Sequence, residues 1–180
     1  MPTNAAIETS HGASRDQPDH VSAEISRLYL SERMRLLRMA ALLVGDRSTA
    51  EDVVHDAFAA LQRRLPTLDD PAAAAAYLSV SVANGARSVL RRRRVAFRHL
   101  RVGEPEATAG ADTAALLADE HRAVVTAVRK LPKRQQEVVI LRYWADLSEA
   151  QIAQAMGIAP GTVKSTAARG LANVQKHLEA

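Results

Sequence analysis

The sequence predicts an all-α protein made of two small helical domains joined by a flexible linker, the second domain containing a helix-turn-helix. Apolar residues recur at helical spacing through most of the chain. A stretch rich in Gly, Pro, Ala and acidic residues interrupts that spacing near the middle, and a glycine turn separates two short helical patterns near the C-terminus. We therefore expect a disordered tail over 1–21, a first domain over 22–98, a linker over 99–113 and a second domain over 114–180.

The charge of the chain favours a polyanionic partner. Its formal net charge is +4 and its pI is about 9.8. The 33 residues between Asp70 and Glu104 contain no acidic residue, although seven arginines lie among them. The chain has no cysteine, which excludes a disulfide framework and a thiolate metal site. It has neither an apolar signal core nor a run of about 20 apolar residues, so we expect a cytoplasmic protein without membrane insertion.

The first helix follows the N-terminal tail. Residues 1–21 mix Pro, Asn, Ser, Gly and Asp without helical spacing, a composition that buries too little apolar area to become ordered. From Ser22 the pattern becomes helical, and Gly45 and Asp46 end it. The residues at helical spacing are Ile25, Leu28, Tyr29, Leu36, Leu37, Ala40, Leu43 and Val44.

The second helix is predicted to open with a capping box between Ser48 and Glu51. Its opposite face is polar, and His55 stands there among acidic residues. No second histidine lies at ligand spacing, and neighbouring charges on an exposed helix face are usually solvated, so we expect neither a metal site nor a catalytic site. The apolar face carries Val53, Val54, Ala57, Phe58, Leu61 and Leu65.

The third helix is predicted to have Asp70 as its cap and Pro71 at its first position, and to run to about Arg94, a length of roughly 36 Å. Gly85 in its middle is unfavourable by about 1 kcal/mol relative to alanine, which indicates close helix packing or close approach to DNA. The residues expected to face inward are Tyr77, Val80, Ala83, Val89 and Leu90.

The end of this third helix is the strongest electrostatic feature of the sequence. Four consecutive arginines, Arg91 to Arg94, are followed by Arg98. Most charge runs are simply solvated. Here the four side chains surround the helix inside the acid-free stretch, so contact with phosphates is the better explanation.

Two helices are predicted to open the second domain, after a linker whose composition is clearest over Arg101 to Asp112. The first spans Thr113 to Lys130 and ends at a Leu-Pro pair, and the second spans about Lys133 to Ala145. Trp144 could stack on a base, but in a chain so poor in aromatic residues we expect it in the core of a small helical bundle.

The helix-turn-helix is predicted to run from Ser148 to Leu178. Ser148 and Gln151 form a predicted capping box, Gly157 ends the short helix with positive φ, and Ile158 fills the turn. Pro160 then opens the second helix at a first-turn position. The apolar stripe predicted for this helix consists of Val163, Ala167, Leu171 and Val174.

The outward face of the last helix has a composition that suits DNA. It carries small or hydrogen-bonding residues at its start and no acid between Gly161 and Lys176. Helix-turn-helices also occur as plain packing units with solvated charges, but the acid-free face favours a helix that enters the major groove. The face consists of Gly161, Thr162, Lys164, Ser165, Ala168 and Arg169.

The order of these parts resembles the extracytoplasmic function (ECF) sigma factors of bacteria, and looks most similar to their actinobacterial SigE-like branch. Three segments carry the resemblance: GDRSTAEDVVHDAFAALQRR (45–64), DPAAAAAYLSVSVANGARSVLRRRR (70–94) and LPKRQQEVVILRYWADLSEAQIAQAMGIAPGTVKS (131–165). Together with the helices between them they span about residues 22–178.

The resemblance implies a two-domain transcription initiation factor, a monomer when free, with no cofactor, metal or catalytic residue. The first domain, called sigma-two, would bind the clamp helices of core RNA polymerase and capture flipped bases of the −10 element of promoter DNA. The second, called sigma-four, would read the −35 element, and an anti-sigma factor is a possible further partner. The implied positions are Asp52, His55, Asp56 and Gln62 for the polymerase; Arg64, Asp69, Asp70, Asn84, Arg87, Arg91, Arg92 and Arg94 for the −10 element; and Thr162, Lys164, Ser165, Ala168 and Arg169 for the −35 element.

The chain departs from the family pattern at three positions. Ser88 stands where many members have Asp, which predicts an altered −10 preference. Ala159 replaces a capping Ser, a loss of about 1 kcal/mol of helix stability. Gly170 replaces an Ala and is predicted to weaken the recognition helix as well.

Two other functional classes are compatible with parts of the sequence. A stand-alone helix-turn-helix regulator would bind duplex DNA without polymerase, usually as a dimer on a palindrome. An enzyme is a distant third, because no phosphate-binding glycine loop, nucleophile–base pair or cluster of metal ligands is visible. Only a sigma factor accounts for both the basic helical domain and the helix-turn-helix.

Overall fold

The computed structural model describes residues 17–65, 73–100, 116–117 and 122–179. These residues form seven α-helices and no strand, which confirms the predicted all-α class. The helices are α1 (Gln17–Val44), α2 (Arg47–Arg64), α3 (Ala74–Leu100), α4 (Arg122–Arg129), α5 (Lys133–Tyr143), α6 (Glu149–Met156) and α7 (Pro160–Glu179). None of the helices in the described part is long and apolar enough to cross a membrane.

The N-terminal unit consists of α1, α2 and α3, which pack against one another. Gly85 of α3 faces α2, where a Cβ atom on it would lie 3.0 Å from Cγ1 of Val53. Close helix packing therefore explains this glycine. The largest fully buried side chains of α3 are those of Leu78 and Val82, whereas Tyr77, Val80 and Val89 lie partly buried against the core.

The junction between α1 and α2 differs from the prediction in its capping residue. Gly45 ends α1 with φ of 87°, and its N–H donates to the carbonyl of Ala41 at 3.0 Å. The N-cap of α2 is Asp46, whose Oδ1 accepts from the backbone N–H of Thr49 at 2.8 Å. The predicted capping box at Ser48 is therefore wrong: the helix begins two residues earlier, Asp46 caps the N–H of Thr49, and Ser48 lies inside the helix.

Two helix boundaries also lie outside the predicted limits. Helix α1 begins at Gln17, five residues before the predicted start at Ser22. Helix α3 continues to Leu100, six residues past Arg94, and its 27 residues span about 40 Å. The predicted start of α3 at Asp70, the predicted loop over 64–70 beyond Leu65, and the tail over 1–16 lie outside the described residues.

The C-terminal unit is built around α7, which packs against α4, α5 and α6. Helix α4 lies within the predicted span from Thr113 to Lys130, and Leu116 and Leu117 of that span are buried. The rest of the span before Arg122 lies outside the described residues. Helix α5 ends at Tyr143 rather than Ala145, and Trp144 caps it half-buried against the core. The fully buried side chains of this unit include Val128, Ile140, Leu141, Leu147, Ile152 and Val163.

The buried face of α7 is shifted from the predicted stripe. Thr166 and Gly170 are buried, whereas Leu171, predicted to face inward, is 43% exposed. A Cβ atom on Gly170 would lie 2.6 Å from Cγ2 of the buried Val139, closer than real contacts permit. The sequence predicted only that Gly170 weakens the helix. In the structure its missing side chain also lets α7 approach α5 closely.

Candidate nucleic-acid interface

The turn of the helix-turn-helix is held by local hydrogen bonds, as predicted. The N–H of Gln151 donates to Ser148 Oγ at 3.2 Å, and the N–H of Ser148 donates to Gln151 Oε1 at 2.8 Å. Gly157 has φ of 63° and ψ of 41°, and the N–H of Ile158 donates to the carbonyl of Ala153 at 3.0 Å. Both the capping box and the left-handed glycine are therefore confirmed.

The start of α7 forms without a side-chain cap from Ala159. The carbonyl of Ala159 accepts from the N–H of Thr162 at 2.9 Å and from that of Val163 at 3.2 Å. Pro160 occupies the first helical position, where the N–H it lacks would have had no partner within the helix. The backbone alone thus starts the recognition helix.

The outer face of α7 is open to solvent. Lys164, Ser165, Ala168 and Arg169 are exposed, and Thr162 is half-buried beside them. The Nε–H of Arg169 donates to the carbonyl of Ser165 at 3.2 Å, and the side chain is exposed. A positive, acid-free helix face with hydrogen-bonding side chains can contact phosphates and base edges in a major groove.

The arginines at the end of α3 divide into two groups. Arg91, Arg92 and Arg94 are exposed. Arg93 instead turns toward the junction of α1 and α2, where its guanidinium donates to the carbonyl of Val44 at 2.8 Å and to Oδ2 of Asp46 at 2.7 Å. The run as a whole was interpreted as a phosphate-contacting feature, but the −10 set implied by the resemblance leaves Arg93 out, and in the structure a carboxylate and a helix C-terminus hold this residue.

The carboxyl group of Asp46 has an altered pKa at this junction. Burial by itself would raise the pKa, but hydrogen bonds from Arg93 and from Thr49 outweigh it, so the pKa of Asp46 lies below its usual value of 3.8. Arg93 Nη2 also donates to Thr49 Oγ1 at 2.9 Å. One arginine thus fastens the end of α3 to the cap of α2.

Arg87, the arginine one turn before this run, contacts the C-terminal unit. Its Nε lies 2.6 Å from Oε1 of Glu137 on α5, and its Nη2 donates to the carbonyl of Met156 at the end of α6 at 3.3 Å. Burial raises the pKa of Glu137, although the guanidinium groups of Arg87, Arg94 and Arg134 act in the opposite direction. Asn84, a turn earlier on α3, is exposed.

The outer face of α2 is polar and accessible, as predicted. Asp52, His55, Asp56 and Gln62 are all exposed, as is Arg64 at the end of the helix. Asp52 and His55 also line a shallow groove of about 300 Å³ between α1 and α2. Within the described residues, no group of His, Cys, Asp or Glu side chains is arranged to hold a metal ion. Tyr29 also lines this groove. Its ring packs edge-on against that of Phe58, with 5.1 Å between the ring centroids, and the guanidinium of Arg33 lies over it.

Sequence reasoning missed the residues that connect elements distant in the chain. Arg35 on α1, Arg93 on α3 and Glu137 on α5 each bond to a partner more than 40 residues away. The burial of Thr166 was also missed, because a residue with a hydroxyl group does not count toward the apolar stripe of a helix. For Arg93 the only available hint was its place within a run of identical residues, which does not show which one turns inward.

The fold and these surfaces together define a DNA-binding transcription protein. Residues 28–95 match the family model described as Sigma-70 region 2, and residues 121–174 match that described as Sigma-70, region 4. The RNA polymerase sigma-E factor of Streptomyces coelicolor is 34% identical over 146 residues, covering 81% of this chain and 80% of the relative. The sigma-E factor of Streptomyces avermitilis is 33% identical over 150 residues, covering 80% and 79%.

A solved structure has the same fold at lower identity. It is the sigma factor RpoE of Bartonella quintana in a co-crystal with the anti-sigma factor NepR, with a TM-score of 0.57, 18% identity, and coverage of 92% of this chain and 98% of that one. The chain belongs to the RNA polymerase sigma factors, in the extracytoplasmic function group. It is an alternative sigma factor that directs core RNA polymerase to promoters, and the presence of region 2 beside region 4 disfavours a stand-alone regulator.

Proposed function

We propose that the outer face of α7 reads the −35 element of the promoter. The observation that carries this proposal is the solvent-open, acid-free surface immediately after the left-handed turn at Gly157. In this assignment Lys164 neutralises a phosphate, and Arg169 reaches a base edge or a phosphate from its position one turn on. The full set is Thr162, Lys164, Ser165, Ala168 and Arg169.

We propose that the −10 element binds along α3 and the segment before it. The exposed Arg91, Arg92 and Arg94 provide the positive charge that a phosphate backbone requires, and Asn84 presents an amide that can pair with a flipped base. The family resemblance adds Arg64, Asp69, Asp70 and Arg87 to this set. Melting of the −10 element by the holoenzyme would place single-stranded DNA on this face.

We propose that core polymerase binds the polar face of α2. Four exposed side chains on this face present two carboxylates, an imidazole and an amide, which suit a partner rich in basic and polar residues. They are Asp52, His55, Asp56 and Gln62. The adjoining groove beside Tyr29 offers apolar contact at the same surface.

We propose that the two units are the sigma-two and sigma-four domains, with the linker over 99–113 between them. The observed helix ends extend the first domain to Gln17 and to Leu100, so residues 99 and 100 belong to α3 rather than to the linker. A chain segment of about 15 residues reaches at most about 50 Å when extended, which suits two promoter elements on one DNA duplex. The second domain would then occupy 114–180.

We propose further that the free protein is a monomer in the cytoplasm and that an anti-sigma factor controls it. The Bartonella quintana protein of the same fold was crystallised with such a partner. Bond formation in transcription belongs to the polymerase, so we assign no catalytic residue, cofactor or metal to this chain.

The proposed function is tested by binding and transcription with core RNA polymerase from Streptomyces coelicolor. Wild-type protein is expected to co-elute with core polymerase in gel filtration and to start RNA synthesis on a library of duplexes with randomised promoter sequences. Asp52→Arg and Asp56→Arg should each abolish co-elution. The matched control is Glu179→Arg, which makes the same change of charge at an exposed residue at the far end of α7. Failure of the intact protein to bind core polymerase would refute the proposed function.

A further inference from the structure

One guanidinium joins the ends of three helices in the N-terminal unit. Arg93 Nη1 on α3 donates to the carbonyl of Val44, the last residue of α1, at 2.8 Å. Its Nη2 donates to Oδ2 of Asp46, the N-cap of α2, at 2.7 Å and to Oγ1 of Thr49 at 2.9 Å. The carbonyl at a helix C-terminus and the carboxylate of the cap are both negative, so a single cation stabilises both helix ends.

The end of α3 lacks apolar packing where it carries the exposed arginines. Among residues 91–96, all of which the structure describes, no side chain is buried, and Val95 is 50% exposed. The bonds of Arg93 therefore hold this part of the helix against the rest of the unit. A guanidinium suits this task, because its two terminal nitrogens donate in different directions to groups on two other helices.

The same bonds fix how this part of α3 is turned about its axis. Successive residues of an α-helix are about 100° apart around the axis. With Arg93 directed at the α1–α2 junction, Arg92 and Arg94 are each directed about 100° away from it, and Arg91 about 160° away. All three are exposed. The arginines proposed to contact the −10 element therefore face outward because their neighbour is held inward.

The junction also adjoins the surface proposed for core polymerase. Asp52 and Asp56 follow Thr49 by three and seven residues, so the three side chains lie along one side of α2. Arg93 thus connects the start of this polar face to the end of α3. A fixed placement of the two surfaces matters, because a DNA strand that leaves the duplex must meet binding groups that are already in position.

We propose that Arg93 is a positioning residue for the −10 element, which holds the end of α3 at the α1–α2 junction and stays on Asp46 while the exposed arginines contact the DNA. This inference rests on the proposed placement of the −10 element along α3. It differs from direct contact with a phosphate, for which any cation at position 93 would serve and the carboxylate of Asp46 would be a hindrance.

Lysine substitutions separate positioning from phosphate contact. A lysine keeps the charge and binds phosphate, but its single ammonium group does not reproduce the bonds that two guanidinium nitrogens make to two helices. Opening is measured with wild-type and variant protein bound to core polymerase from Streptomyces coelicolor. The DNA is a promoter duplex selected from the randomised library, with 2-aminopurine in its −10 element.

The rate of the fluorescence rise distinguishes the two arginines. Arg93→Lys should slow it by about five-fold or more, because the bonds to two helices are lost. Arg93→Ala should have the same effect. Arg92→Lys is the matched control, and it should slow opening by less than about two-fold, because a phosphate contact needs only the charge.

Substitution of Asp46 gives effects of opposite sign for the two roles. Asp46→Asn keeps a capping side chain but removes the charge that holds Arg93. Direct phosphate contact predicts faster opening, because a competing anion is gone, whereas positioning predicts opening slower by about two-fold. The Asp46→Asn, Arg93→Ala double variant should open no more slowly than Arg93→Ala, because both changes break the same contact. Asp146→Asn makes the same change between α5 and α6 and should open at the wild-type rate.

Loss of the fold would give a different result from loss of positioning. Each variant is therefore also tested for co-elution with core polymerase and, in the holoenzyme, for binding to a duplex that contains only the −35 element. Arg93→Lys and Asp46→Asn should match the wild type in both measurements, since neither changes the polar face of α2 or the outer face of α7.

Each alternative result has its own meaning. A wild-type rate of opening in Arg93→Lys, or faster opening in Asp46→Asn, would overturn the inference even if the wild-type protein starts transcription. Loss of core binding together with opening in Arg93→Lys would also overturn it, because Arg93 would then serve only the stability of the unit. Failure of the wild-type protein to start transcription with core polymerase would refute the proposed function, and the inference with it.

Discussion

The two helices that face nucleic acid, α7 and α3, carry similar positive charge but present it in different ways. The outer face of α7 is exposed from its first turn, and the turn before it is fixed by hydrogen bonds within a few residues. On α3, by contrast, Arg93 fastens the helix to its own unit and Arg87 contacts the other unit. The arginines and lysines of a basic helix can thus be open to solvent, as on α7, or partly bonded to other groups of the protein, as on α3. The amino-acid composition of the two helices does not show which is the case.

The difference has a physical basis in what surrounds each helix. Helix α7 lies on the surface of a small unit and needs only one apolar face for packing, so its opposite face is left to solvent. Helix α3 is longer and passes beside α1, α2 and α6. Arg87 and Arg93 on α3 are therefore bonded to carboxylates and to carbonyl groups at helix ends within the protein itself.

The largest effect is expected from removing a side chain on α7. Arg169→Ala should lower −35 binding by the holoenzyme by about 1–3 kcal/mol if the guanidinium reads a base edge, and should relax base preference at one position. Arg92→Ala on α3 is the comparison variant, and it should weaken binding evenly across sequences with a smaller salt dependence. Binding is measured by competition among randomised duplexes at two salt concentrations. Identical selectivity profiles for the two variants would remove the distinction between the helices.

A smaller effect is expected where α7 touches α5. Gly170→Ala should lower the free energy of unfolding by about 1–2 kcal/mol, because its Cβ would overlap the stiff, buried Val139, and the gain in helix propensity only partly compensates. Gly161→Ala is the matched control, since nothing lies within 4 Å of its added Cβ. The measurement is urea unfolding followed by circular dichroism. If Gly170→Ala were the more stable of the two, the close approach of α7 to α5 would be wrong.

The smallest effect is expected at the junction fastened by Arg93. Asp46→Asn keeps an N-cap side chain but removes the charge. The side chains of Arg93 and Asp46 are 38% and 42% exposed, so screening by solvent limits the expected loss to about 0.5 kcal/mol at pH 7. Because the pKa of Asp46 is lowered by folding, its contribution is present above about pH 4 and disappears as the pH falls through the folded pKa.

Thermal unfolding across pH checks this last prediction. The gap in melting temperature between wild type and Asp46→Asn should be widest near pH 7 and should narrow as the pH falls through the lowered pKa of Asp46. A gap that stayed constant with pH would show that the amide differs from the carboxylate in capping geometry rather than in charge.

The sequence alone determined the features that form within a few residues. The capping box at Ser148, the left-handed Gly157 and the helix start at Pro160 each depend on atoms three or four residues apart, so the residue types suffice to specify them. Helical periodicity likewise gave the all-α class and the polar faces of α2 and α7. The order of these features along the chain was enough for the family resemblance that the comparisons with known proteins then bore out.

The tertiary structure was needed to show which residues form contacts between distant segments of the chain. Four successive arginines are indistinguishable in the sequence, and Arg93 is singled out because Asp46 lies in reach from another helix. From the sequence, Gly170 is expected only to weaken its helix, whereas the structure shows that Val139 leaves no room for a side chain there. The sequence likewise does not show that Glu137 forms an ion pair with Arg87 of the other unit. The physical reason is common to all three: a local hydrogen bond is fixed by spacing along one chain segment, whereas packing and ion pairing between segments depend on where the whole chain brings them together.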